Sequence, residues 1–398
     1  MIALQFSRSV PRYAASRALG RAAPGLLPRV APLRLGHLDD PALPNDEWVR
    51  VHPRLSGICG SDLAMIAGTA SFYFSPIVSM PFVPGHEIVG TLDDGQRVVI
   101  EPVLACAARG IEPACEACAS GRVGNCTRTA HGHIAPGLQT GYCEDTGGGW
   151  GTLLVAHRTQ LHEIPDELSD EAAVLVEPFA CAIHAVLLAH VEPGATLLVS
   201  GAGTMGLLTI AALRHLTEPA RVIAVAKHAR QRTEARRLGA DDVVSPEAAV
   251  RSVRLATRAL LQEPEQGTPW LAGGVDVSFE CSGNPGALDD CLRATRPRGR
   301  VVLVGLPAPT RIDLAPVWHR ELDVTGAYTY GIEADGRHTF EVAIDLAQKI
   351  DLTPLVSAAY PLTRYEEAID HAMDAGRLGA VKIAFDHRPR RSGAEAEG

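Results

Sequence analysis

Residues 196–216 read TLLVSGAGTMGLLTIAALRHL, and this stretch decides the fold. The apolar run Thr196–Ser200 ends on Gly201, Gly203 and Gly206, and an apolar helical pattern follows at once. Three glycines at this spacing mean little alone, but here they close a strand and open a helix. The first glycine permits a tight turn, the second lets backbone approach a pyrophosphate, and the third lets the helix pack on the strand. The helix N-terminus then turns free N–H groups toward the phosphates. Gly201, Gly203, Thr204, Met205 and Gly206 are the expected contacts. The competing reading is a glycine-rich turn in some other α/β protein.

Outward from this point, apolar runs at Arg221–Ala226, Asp276–Glu280 and Arg300–Gly305 alternate with helical stretches such as Arg230–Leu238. That alternation implies βαβ units and a parallel sheet. An NAD site usually carries an acid near the end of the second strand, for the ribose hydroxyls. No acid occurs from Arg221 to Thr233; Lys227, His228, Arg230 and Arg232 stand there instead. A carboxylate would repel a 2′-phosphate and cations welcome one, so NADP is favoured over NAD, with Lys227 and Arg230 as contacts. Alternatively these cations form a solvated helix turn and NAD still binds.

The chain has 398 residues, enough for two domains. With 46% hydrophobic and 21% charged residues it is neither largely disordered, collagen-like nor a coiled coil. A formal charge of −9 lacks the footprint of a nucleic-acid binder. No apolar run is long enough for a membrane span. Nine cysteines are too few for a disulfide scaffold and suit a reducing cytoplasm. Residues 1–38 are basic and lack acids, a composition resembling a transit peptide. The preferred reading is a first strand, Met1–Phe6, followed by an irregular basic insertion. Short strands dominate residues 1–170, a helix is expected near 337–349, and Ala380–Phe385 reads as a last strand. The tail 387–398 reads as disordered.

Cys115, Cys118 and Cys126 lie in ACEACASGRVGNC, with Cys106 nine residues before Cys115. Four thiolates close a tetrahedral zinc site that keeps no open position, so such a site fixes a loop. The gap after Cys106 is long, and Cys143 or His131 is the alternative fourth ligand. A second set of potential ligands is dispersed: Cys59 in GICGSD, His86 and Glu87 in PGHEIVG, and Glu177 in VEPFACAIH. Each singly reads as an ordinary buried or helix-end residue. Together they can hold a zinc ion with a position left for substrate or water.

These motifs, with GAGTMG, run in the order seen in zinc-dependent medium-chain dehydrogenases of the alcohol dehydrogenase superfamily, which the chain resembles from MIALQF to GAVKIAF. The sorbitol/threonine dehydrogenase-like branch is nearest in pattern, because Glu177 stands where the best-known alcohol dehydrogenases place a second cysteine. The resemblance implies an α/β architecture: a GroES-like β-rich catalytic domain at 1–175 with its zinc loop at 106–126, a Rossmann domain with a doubly wound parallel sheet at 176–322, and a return to the catalytic domain at 323–386. It implies two zinc ions per chain, a homo-dimer or homo-tetramer, and a small alcohol or carbonyl substrate.

By the same resemblance, Cys59 and His86 are fixed zinc ligands, and Glu87 and Glu177 are ligands that alternate with water. Asp62 orients His86, and Ser61 relays the substrate proton. Val304 and Gly305 contact the nicotinamide. The plainer readings are helix caps for Asp62 and Ser61, and strand core for Val304 and Gly305. Four segments depart from the family pattern: 12–35, the stretched gap after Cys106, 130–150 and 250–273. The third, with Tyr142, Cys143, Asp145 and Trp150, either overhangs the cleft or is a surface loop. The rival functions are a non-catalytic zinc-stabilised nucleotide-binding module and a zinc-free quinone or enoyl reductase. The first would need a damaged catalytic group and the second would lack Cys59 and His86, yet Cys59, His86 and Glu177 are all present.

Overall fold

A computed structural model describes residues 1–22 and 24–389, so the tail expected at 387–398 falls outside the described residues from 390 onward. Two sheets organise the chain. A six-stranded parallel sheet runs in the order 242–244, 221–225, 196–200, 275–280, 295–303, 323–326. In chain order this is 3-2-1-4-5-6, and the order reverses beside strand Thr196–Ser200. The last strand, Asp323–Gly326, extends the sheet just past the boundary expected at 322. Leu197, Leu198 and Val199 are almost wholly buried, as strands covered on both faces require. Each such side chain contributes roughly 2–3 kcal/mol of apolar burial.

The second sheet runs 356–360, 382–386, 48–57, 88–92, 97–100, 161–163, with 154–157 also paired to 48–57. Strand Lys382–Asp386 lies antiparallel to Trp48–Gly57. The end of the chain thus returns to the sheet built by its beginning, and a C-terminal lysine enters a site made of N-terminal residues. Helix Val176–Leu188 packs against both Thr204–Leu216 and Thr339–Ala347.

The N-terminal insertion differs from expectation. Ile2–Phe6 is a strand paired with Leu33–His37, but Val10–Ala22 between them is a helix rather than irregular chain. Alanine and arginine are good helix formers, so VPRYAASRALGRA needs little apolar periodicity to coil. Tyr13 anchors it by donating to the Gly68 carbonyl at 3.0 Å. Segment 250–273 forms helix Ala249–Thr257 and a small ribbon, Leu260–Gln262 against Trp270–Ala272. The helix expected near 337–349 spans Thr339–Ala347, and the last strand begins at Lys382 instead of Ala380.

Candidate active site and metal centres

Gly201 adopts φ +100, which only glycine tolerates easily, and a Cβ on Gly206 would lie 1.9 Å from the Gly201 carbonyl oxygen. A Cβ on Gly203 would meet nothing within 4 Å. The turn is therefore tight where the protein packs and open where a pyrophosphate would lie. Helix Thr204–Leu216 starts there with Gly203 as N-cap and no side-chain cap, leaving its first N–H groups for a ligand. These features fit a dinucleotide. Val304 and Gly305 donate backbone N–H groups to the Glu280 carbonyl, both at 2.8 Å, at the carboxyl ends of adjacent strands.

At the end of the second strand, Lys227 is exposed. Arg230 is engaged elsewhere, with Glu234 at 3.0 Å and the Pro354 carbonyl at 3.0 Å. Arg232, in contrast, folds back to donate to the carbonyls of Ala226 and Lys227. That places its guanidinium at the strand end.

Cys106, Cys115, Cys118 and Cys126 bring their sulfurs within 4.8 Å of one another; Cys143 and His131 are not among them. Zinc–sulfur bonds of about 2.3 Å imply sulfur–sulfur edges of about 3.8 Å in a tetrahedron. Cys106 to Cys126 measures 3.7 Å and Cys115 to Cys126 measures 4.0 Å, so the group fits a closed zinc site. Burial works against a thiolate on Cys115, but hydrogen bonds from Cys118 and Thr127 outweigh it and lower the thiol to about 5.

The long gap after Cys106 has a structural cause that the spacing did not reveal. It carries Arg109, which is fully buried and donates to five carbonyls: Leu104, His131, Ile134, Ala135 and Gly137. Arg109 thereby ties the cysteine loop to the segment 130–137.

That segment leads to the second constellation. Cys59, His86 and Glu87 converge within 4.8 Å. Cys59 is the N-cap of helix Gly60–Ile66, and its N–H donates to Asp62 Oδ2 at 3.0 Å. Asp62 is fully buried, and its Oδ1 lies 3.5 Å from His86 Nδ1 and 3.2 Å from the Tyr142 hydroxyl. Asp62 is thus not the N-cap, which is Cys59, but the third residue of the helix, bonding back to the cap N–H, and its other oxygen faces His86. The Tyr142 ring lies 5.9 Å from that of His86. Burial disfavours a proton on His86, but the charge and hydrogen bonding of Asp62, and then Cys59, raise its pKa well above the usual value. A buried ring whose surroundings favour positive charge fits a cation, which displaces such protons on binding.

Gly57 makes room for Glu87, since a Cβ there would sit 1.8 Å from Glu87 Oε2. Both Glu87 oxygens accept from Lys382 Nζ at 2.6 Å. Sequence reasoning missed Lys382; its only signal was a lysine in the otherwise apolar last strand. Glu177, in the first turn of helix Val176–Leu188, accepts from the Cys181 thiol at 3.6 Å. Burial pushes its carboxyl up to about 7, against the opposing charge of His86. Ser61 lies beside Tyr142 and is not the N-cap residue. His131 and His133 are exposed, while Trp150 is buried and donates to the Gly57 carbonyl at 3.3 Å. No helix among the described residues is long and apolar enough to cross a membrane.

A glycine-lined dinucleotide crevice, a four-cysteine loop and a Cys/His/Glu cluster define a zinc-binding dehydrogenase, and comparison with known proteins gives the same class. A family model described as "Alcohol dehydrogenase GroES-like domain" matches residues 45–166, and one described as "Zinc-binding dehydrogenase" matches residues 204–349. The chain belongs to the zinc-dependent medium-chain dehydrogenases of the alcohol dehydrogenase superfamily, an enzyme family that uses zinc and NAD(P). It is 29% identical to an L-idonate 5-dehydrogenase of Vitis vinifera, over 85% of this chain and 87% of the relative. It is 28% identical to a sorbitol dehydrogenase of Arabidopsis thaliana, over 85% and 88%. The crystal structure of 2R,3R-butanediol dehydrogenase from Bacillus subtilis superposes with a TM-score of 0.68 at 25% identity, covering 89% of this chain and 96% of that one.

Proposed function

We propose that this chain transfers a hydride between NAD(P) and an alcohol/ketone pair, with a secondary alcohol, polyol or sugar as substrate. The observation that carries the reading is the convergence of Cys59, His86 and Glu87; Glu177 is not among the converging ligand atoms, but its carboxyl feels the charges of His86 and Glu87. Cys59 and His86 would hold the zinc ion as fixed ligands, and Glu87 and Glu177 would be the ligands that alternate with water. A zinc ion so held lowers the pKa of an alcohol and polarises a carbonyl. The dinucleotide supplies the hydride chemistry.

The protein's own groups do the rest. Asp62 Oδ1 faces His86 Nδ1 and so orients the ring to present Nε2 as the ligand. The Ser61 hydroxyl passes the substrate proton outward. Lys382 balances Glu87 whenever that carboxylate is off the metal. Two zinc ions per chain, one in each cluster, follow from this assignment. NADP is preferred, because Lys227 and Arg232 stand where an NAD enzyme carries an acid.

The exposed edge strand Asp323–Gly326 and the exposed apolar side chains of Leu314 and Trp318 support a homo-dimer or homo-tetramer. Nine unpaired cysteines support the cytoplasm as location. The test is NAD(P)H absorbance over a panel of polyols, sugars, amino alcohols and aromatic alcohols with both cofactors. Turnover of a secondary alcohol or polyol is expected, and absence of turnover across the panel would refute the reading.

A further inference from the structure

A third cluster lies apart from both cysteine-containing sites. Glu101 follows strand Arg97–Ile100, His162 lies on strand Leu161–Glu163, and His338 is the N-cap of helix Thr339–Ala347. Their ligand atoms lie within 4.8 Å of one another. His162 Nε2 is 3.1 Å and His338 Nε2 is 3.3 Å from the same oxygen, Glu101 Oε2. Bonds of about 2.1 Å from zinc to nitrogen and oxygen imply tetrahedral edges of about 3.4 Å, close to these separations. Glu101 is buried, while the two imidazoles keep a little solvent access, so a cation can enter and retain a water. The His162 ring is fixed by stacking on Phe340 at 4.7 Å.

We propose that Glu101, His162 and His338 form a third metal site, taking a divalent transition cation such as zinc through two imidazoles and one carboxylate. Two histidines and a glutamate are a known zinc ligand set. The ion would pin helix Thr339–Ala347, which follows the nucleotide-binding sheet in sequence, to the strands of the catalytic sheet. One local bond must yield. The Phe340 N–H donates to His338 Nδ1 at 3.3 Å, which holds the ring proton on Nε2. On binding, that proton moves to Nδ1, the bond from the Phe340 N–H is lost, and the Nε2 lone pair turns to the metal, with no net change in the ring's proton count.

The test is a cobalt(II) and zinc(II) titration of the full chain after metal removal, read by bound equivalents and by absorption. The cysteine-containing sites report through thiolate-to-cobalt charge transfer, and the proposed site has none. Three equivalents are expected, one of them silent in the thiolate band. His162→Gln should bind one equivalent fewer with the thiolate band unchanged, and zinc should raise its melting temperature less than that of the wild type. Saturation of the wild type with no thiolate-silent equivalent, or equal counts in wild type and variant, would overturn the proposal. The first of these needs no variant to fold. Weakness of the cysteine sites would appear separately, as a loss of the thiolate band.

Discussion

Lys382 Nζ lies 2.6 Å from both carboxylate oxygens of Glu87, and both side chains are buried. Burial alone would lower the lysine's pKa, but Glu87 and then Cys59 raise it above its usual value. Removing one member of a buried pair typically costs about 3–5 kcal/mol, because the other charge is left unpaired. Lys382→Met should therefore lower stability by about that much in urea unfolding and should reduce kcat. Lys382→Arg should recover most of both. A Lys382→Met protein with wild-type stability would show that the pair is not a buried ionic contact.

Arg109 holds the cysteine loop to the 130–137 segment through four carbonyls there, with the Leu104 carbonyl as a fifth acceptor. Arg109→Met would leave those acceptors without their donor in a dry site, at a cost of about 3 kcal/mol or more. We expect a lower melting temperature even with zinc bound at the four cysteines. An unchanged melting temperature would rule out the anchoring role.

Asp170 is buried and accepts from Arg54 and Arg97, with Arg388 3.3 Å away. Burial pushes its carboxyl up, but the two arginines outweigh this and lower it below the usual value of 3.8. A pKa depressed by folding stabilises the protein above the unfolded value and loses that contribution as pH falls through the folded value. Asp170→Asn should cost about 2 kcal/mol at pH 7, as hydrogen bonds to a charged group do. The gap between variant and wild type should shrink as the pH is taken below about 4. A gap independent of pH would contradict the ion-pair account.

Arg232 is folded onto the end of the second strand beside exposed Lys227, whereas Arg230 is held by Glu234; in the proposed reading the first two would meet a 2′-phosphate. Arg232→Ala should raise KM for NADP by about tenfold, worth about 1.4 kcal/mol, with little effect on NAD. Arg230→Ala should affect both cofactors equally. Equal loss for NAD and NADP in Arg232→Ala would remove the phosphate assignment.

The sequence made four strands of the parallel sheet legible because they centre on apolar runs and GAGTMG marks the first turn, but it did not show the short edge strands Asp242–Val244 and Asp323–Gly326. It made the four-cysteine loop legible because thiolate ligands cluster locally. It did not show Lys382, which reaches Glu87 only because Lys382–Asp386 pairs with Trp48–Gly57 across nearly the whole chain. Nor did it show Arg109, whose partners are backbone carbonyls and leave no mark in residue type. Arg230 and Arg232 are equivalent in sequence, and only the helix face that each occupies separates them. The helix at Val10–Ala22 was hidden because arginines mask its apolar contacts.

The Cys59, His86 and Glu87 cluster is the proposed zinc centre of a hydride-transferring enzyme. Its most direct test is NAD(P)H-linked turnover of Cys59→Ser beside the wild type, at equal circular dichroism and with zinc measured in both. The variant should keep its fold, lose one zinc per chain and fall at least a hundredfold in kcat/KM, about 2.7 kcal/mol. A folded Cys59→Ser protein that retains wild-type turnover would contradict that assignment.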